Sequence, residues 1–150
     1  MKRTIVSGYF NPLHGGHLDM VEAAARLGDK LLVIINNDEQ QILKKGKVIL
    51  DEQNRMRLVG SLRLVDDVLL SIDEDFGQSL TLRKIRKLYP DDELIFANGG
   101  DRDPSQHALP ENEIRACKDC NIATVFGVGS HKVEKRDSST RINQALGHDR

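Results

Sequence analysis

Residues 7–18 read Ser7-Gly8-Tyr9-Phe10-Asn11-Pro12-Leu13-His14-Gly15-Gly16-His17-Leu18. An apolar run over 4–6 leads into Gly8, Asn11 and Pro12 mark a turn, and Leu18, Val21, Ala24, Ala25 and Leu27 then recur at helical spacing. The pattern predicts strand, turn, helix, with the helix beginning near Gly15 or Gly16. His14 and His17 then share one face of its first turn. A helix start approached over glycine is an anion site, because free N–H groups point outward, the dipole favours negative charge and no Cβ blocks a phosphate. Two imidazoles aimed at the same place add donors.

Two plainer readings compete with that one. Histidines at i and i+3 can ligate zinc, but zinc needs a third and usually a fourth ligand, and no nearby Cys, His or Glu has convincing spacing. They can also be surface histidines beside a turn. The glycines, the preceding strand and the Asn11-Pro12 turn favour the phosphate site.

The 150 residues predict one domain, 1–150, with a single core. Lys and Arg number 22 against 23 Asp and Glu, so bulk charge does not argue for nucleic acid as a partner. No stretch reads as a signal peptide or reaches the length of a membrane span, so a soluble, cytoplasmic protein without a membrane partner is expected. Cys117 and Cys120 stand three apart in a helical stretch; with no second ligand pair and no thioredoxin-like context they read as helix-packing thiols.

Apolar runs alternate with amphipathic stretches along the chain. Strands are predicted over 4–7, 30–35, 65–72, 94–97 and 122–128, and helices over 16–27, 51–62, 79–88, 111–120 and 138–146. A helix between every pair of strands implies an α/β fold: a Rossmann-like, doubly wound, five-stranded parallel sheet with helices on both faces. Ligands in such sheets lie beyond the carboxyl ends of the strands. The opening motif falls at that end.

Three further stretches are expected to converge there. Lys44-Lys45-Gly46-Lys47 reads as a loop after the second strand; it is either a solvated charged loop or a source of mobile counter-charge for phosphate. Asn98-Gly99-Gly100-Asp101-Arg102 follows the fourth strand, where glycines permit close backbone approach, Asp101 can accept from a ribose or base, and Arg102 can stack on a base or bind phosphate. A plain turn would use similar residues. Near the C-terminus, Ser138-Ser139-Thr140-Arg141 offers hydroxyls and an arginine before an apolar-periodic run, a second anion-binding helix start beyond what ordinary capping needs.

His14-Gly15-Gly16-His17, with Gly8-Tyr9-Phe10-Asn11-Pro12 before it, resembles the H-x-G-H signature of the nucleotidyltransferase superfamily, which includes cytidylyltransferases and adenylyltransferases. Ser138 to Ile142 resembles that superfamily's second signature, and the lysine run, Arg55 in the next helix, Val65-Asp66-Asp67-Val68 and Gly99-Gly100-Asp101 resemble segments of its glycerol-phosphate and heptose-phosphate members. The resemblance implies attack by a substrate phosphate on the α-phosphorus of an NTP, with release of pyrophosphate. It implies CTP slightly ahead of ATP, a small polyol or sugar phosphate as acceptor, Mg²⁺ carried mainly on the NTP phosphates with no dedicated protein metal site, and a homodimer. His14, His17, Lys45, Lys47 and Arg141 are then the catalytic candidates. Gly8, Tyr9, Phe10, Asn11, Gly16, Arg55, Gly100, Asp101, Arg102, Ser138, Ser139 and Thr140 are the nucleotide-binding ones. An adenylyltransferase acting on a sugar phosphate or mononucleotide, or a binding module of the same fold without turnover, are the alternatives. A dinucleotide-dependent oxidoreductase is disfavoured because Gly8, Gly15 and Gly16 do not give its glycine spacing.

Overall fold

The apolar runs do form strands, and the sheet they build has two buried faces. The structure, a computed structural model, describes residues 1–99 and 109–128. In chain order the elements are β1 (Lys2–Gly8), α1 (Gly15–Ala25), β2 (Lys30–Ile35), α2 (Asp38–Lys45), α3 (Glu52–Gly60), β3 (Asp67–Leu70), α4 (Ser79–Leu88), β4 (Glu93–Gly99), α5 (Glu111–Asp119) and β5 (Ile122–Val128). Every strand pair is parallel and the order is β3-β2-β1-β4-β5. The order reverses between β1 and β4, which creates the crevice where open sheets of this kind take ligands.

Alternation along the strands sorts the core into two layers. Ile5, Leu32, Ile34, Leu94 and Phe96 pack with Leu82 and Ile85 of α4 and with Ala116 and Cys117 of α5. Val6, Leu31, Val33, Ile35 and Ala97 pack on the other side with Val21 and Ala24 of α1 and Val59 of α3. The doubly wound, Rossmann-like arrangement expected from the sequence is therefore present.

Two departures from expectation bear on the site. β3 spans only Asp67–Leu70, because Asp66 is used otherwise: its carboxylate accepts from the Leu31 amide at 2.8 Å. The segment expected to be a loop carrying Lys44 and Lys45 is instead the last turn of α2, a helix the sequence reading omitted. Asn37 caps it by accepting from the Gln40 amide at 2.8 Å, and Gly46, with φ 76°, closes it in the left-handed region that glycine adopts without strain. Lys47 lies beyond that cap. The helix expected over 138–146 falls outside the described residues.

At the amino edge of the sheet Arg3 joins the strands. Its guanidinium donates to Asp92 at 3.0 Å and Asp67 at 2.9 Å and lies 3.7 Å from the Tyr89 ring centre. Cys117 belongs to the core and Cys120 caps α5, in keeping with packing thiols. Burial, then the neighbouring Glu113 and Cys120, pushes the Cys117 thiol up to about 12. Among the described residues no helix is long and apolar enough to cross a membrane.

Candidate active site

The chain leaves β1 at its carboxyl end through a tightly folded turn. Phe10 is buried with φ 51°, and its ring covers Gly8: a Cβ at Gly8 would lie 2.8 Å from Phe10 Cζ. Glycine is therefore required at position 8 by a contact inside the protein. The peptide bond between Asn11 and Pro12 is cis. Phe10 then meets the His17 ring edge-on, with centroids 4.7 Å apart, so the buried aromatic sets the position of the imidazole.

The start of α1 is built from the two histidines themselves. His14 is the N-cap, and its Nδ1 accepts from the Gly16 amide at 3.1 Å. His17 Nδ1 accepts from the His14 amide at 3.1 Å, and the rings stack with centroids 3.8 Å apart. Both Nδ1 atoms act as acceptors, so each ring carries its proton on Nε2. The expectation that bare amides would greet an anion needs correction: the Gly16 N–H is taken by His14, and those of His17 and Leu18 bond to the His14 carbonyl. A Cβ on Gly15 would meet nothing within 4 Å, so that glycine borders open space.

Asn11 and Arg55 tie this turn to the rest of the carboxyl edge. Buried Asn11 accepts through Oδ1 from the amides of Ile49 at 3.1 Å and Leu50 at 2.8 Å, fixing the segment just after Lys47. Lys44 Nζ lies 4.5 Å from the centre of the Tyr9 ring. Lys44, and with it the last turn of α2, thereby stands beside the histidine turn on a second element.

Arg55 corrects its expected role. It is 0% exposed; Nε donates to the Leu50 carbonyl at 2.8 Å, Nη1 to the carbonyls of Tyr9 and Asn36 at 2.7 Å each, and Nη2 to Asp38 at 2.7 Å. A guanidinium so engaged does not face an incoming phosphate; it joins the turn after β1, the end of β2, the start of α2 and the segment before α3. Asn36, Asn37, Asp38 and Gln40, which support it, were missed in the sequence. Their signal was available as Asn37 followed three residues later by Gln40, a capping pair.

Gly100, Asp101, Arg102, Ser138, Ser139, Thr140 and Arg141 lie outside the described residues. Among the described residues, Asn11 and Arg55 tie the stretch from Gly8 to His17 to the segment that follows α2. Paired imidazoles and a nearby lysine at a topological switch point suit a polyphosphate.

The sequence matches the model of the cytidylyltransferase-like family over residues 5–145. Among curated proteins it is 32% identical over 135 residues to an FAD synthase of Ferroglobus placidus, covering 83% of each chain. It is 37% identical over 102 residues to the bifunctional protein HldE of Gluconobacter oxydans, covering 67% of this chain and 20% of that longer one. A lipopolysaccharide core biosynthesis protein from Thermoplasma volcanium has the same fold, with TM-score 0.62, 26% identity, and 84% and 93% of the two chains covered. The stacked histidines at the switch point and these likenesses lead to one conclusion: the chain belongs to the cytidylyltransferase-like family and is a nucleotidyltransferase.

Proposed function

We propose that this enzyme transfers an adenylyl group from ATP to the phosphate of flavin mononucleotide, releasing pyrophosphate. The nucleotide-handling part rests on one observation: the His14–His17 pair after β1, in which each ring accepts a backbone amide through Nδ1 and so keeps its proton on Nε2. The choice of ATP and of a flavin phosphate rests on the likeness to an FAD synthase spanning 83% of both chains. Under this reading adenylyl transfer takes the place of the CTP preference drawn from the sequence.

An acceptor phosphate oxygen attacks the α-phosphorus; the new P–O bond forms as the bond to the β-phosphate oxygen breaks, and both electrons leave with pyrophosphate. This chemistry asks for positioning and charge neutralisation rather than a protein nucleophile. His17 Nε2–H donates to the α-phosphate oxygens as charge builds, and His14 to the neighbouring phosphates. Lys45 and Lys47 hold the incoming phosphate and offset the charge of the products. Arg141, Ser139, Thr140 and Ser138 take the β- and γ-phosphates, and Gly100, Asp101 and Arg102 the nucleoside. Among the described residues no three His, Cys, Asp or Glu side chains gather as a metal cage. The imidazole and ammonium donors here suit an Mg²⁺ ion carried on the triphosphate, where it would neutralise phosphate charge.

A second reading, adenylyl transfer to a sugar phosphate, is favoured by the likeness to HldE. One grid decides: the protein with Mg²⁺, ATP or CTP, and flavin mononucleotide, glycerol 3-phosphate or a heptose phosphate, read by pyrophosphate release. Release with ATP and flavin mononucleotide alone is expected. Release only with CTP, or only with a sugar or polyol phosphate, refutes the proposal.

A further inference from the structure

The polar anchors of the histidine turn continue beyond it. Arg55, bonded to the Tyr9 carbonyl, also holds the Asn36 carbonyl; Asn36 Nδ2 donates to Gln40 Oε1 at 3.1 Å; and Gln40 Nε2 donates to the carbonyls of Asp75 at 2.8 Å and Gly77 at 3.1 Å. Those two carbonyls flank Phe76. Asn37 adds bonds to the carbonyls of Ser71 and Asp73, the Gly77 amide donates to Asp75 Oδ1, and Asn112 donates to Asp75 Oδ2. Gln40 is wholly buried and Asn36 nearly so, which makes this a fixed scaffold rather than a surface tether.

What the scaffold displays is an aromatic ring. Phe76 is 58% exposed on the loop after β3, with exposed Ile72 and Leu80 close to it in sequence. The strands are parallel, so this loop opens on the same edge as the histidine turn. β3 stands two strands from β1, or about 10 Å at the usual strand spacing. An acceptor whose phosphate is held at this edge, joined to a flat ring by a short chain, can reach toward a loop two strands from β1.

We propose that Phe76 is the stacking platform for the heteroaromatic ring of the phosphorylated acceptor, and so determines acceptor specificity. The proposal rests on the flavin-phosphate reading above. An exposed aromatic face on an anchored stretch of backbone suits a planar ring, since stacking needs area and little else.

The test uses the full-length protein, its Phe76→Ala and Phe76→Tyr variants, and Leu88→Ala as an exposed control remote from the loop. Initial rates are measured with ATP and flavin mononucleotide, alongside flavin fluorescence titrations and gel filtration. Phe76→Ala is expected to raise the KM for flavin mononucleotide about ten-fold or more and weaken the fluorescence change equally. The KM for ATP and the Tm should stay unchanged, and Phe76→Tyr should behave as wild type. An unchanged flavin KM in Phe76→Ala beside an active wild type overturns this proposal alone, as does a variant that only alters oligomeric state. Failure of the wild-type enzyme to use flavin mononucleotide overturns the acceptor reading, and this proposal with it.

Discussion

Under the proposed mechanism His17 has a task for each of its two nitrogens, and the two can be separated. Nδ1 caps the His14 amide, while Nε2 carries the proton assigned to the α-phosphate. Asparagine at 17 places an acceptor near Nδ1 and nothing at Nε2, so His17→Asn should keep the Tm close to wild type while kcat falls about 10²-fold or more. A loss confined to the KM for ATP would show ground-state binding instead. Gly8 answers to the same geometry. In Gly8→Ala the new methyl presses on Phe10, and Phe10 on His17, so kcat should fall by up to about 10²-fold with a smaller change in Tm. Arg55→Ala leaves the Asp38 charge without its buried partner and three carbonyls without donors, and should cost about 3–5 kcal/mol in urea unfolding. An Arg55 that merely held phosphate would leave unfolding untouched. At this scale the histidine pair was legible because glycines and the turn surround it. Arg55 was not, since sequence spacing makes an arginine look exposed and its four partners come from separate segments.

Elements differ in how openly they announce themselves. α1, α3, α4 and α5 bury apolar side chains and were readable by periodicity, whereas α2 buries Gln40 and Gln41 and exposes Ile42 and Leu43. A helix whose inner face is amide rather than hydrocarbon leaves no apolar stripe, only its caps. Asn37 with Gln40 at one end and Gly46 at the other are the signature it carries in the sequence. α5 supports a prediction about its thiol. Cys117 keeps its proton up to about 12 in the fold, against an ordinary value of 9.0, so between those values the unfolded chain has lost a proton that the native one retains. Stability should therefore fall as pH rises through that window and be unaffected below it. Two measurements check this: Tm against pH in wild type and in Cys117→Ala, where the alkaline slope should be reduced, and iodoacetamide labelling at pH 8, where Cys117 should react only after denaturant is added.

The whole molecule divides chemistry from cohesion between the two edges of one sheet. The fold class followed from alternation of strands and helices, but the order β3-β2-β1-β4-β5 did not, because right-handed crossovers fix the hand of each step and not on which side the chain next builds. That order puts β1 at the centre, with the histidine turn at its carboxyl end and Arg3 near its amino end. Arg3 bridges Asp67 and Asp92 and covers Tyr89, linking β1 to the start of β3 and to the turn before β4. Its carboxylate partners are partly exposed, so solvent screens the pairs, and Arg3→Ala should cost only about 1–3 kcal/mol. Because the strands between the edges are packed on both faces, that loss should lower the denaturation midpoint without moving kcat or either KM. Urea unfolding and steady-state rates on one Arg3→Ala preparation test the separation. Altered kinetics in a fully folded Arg3→Ala protein would mean that strain passes along β1 to the histidines and that the two edges are coupled.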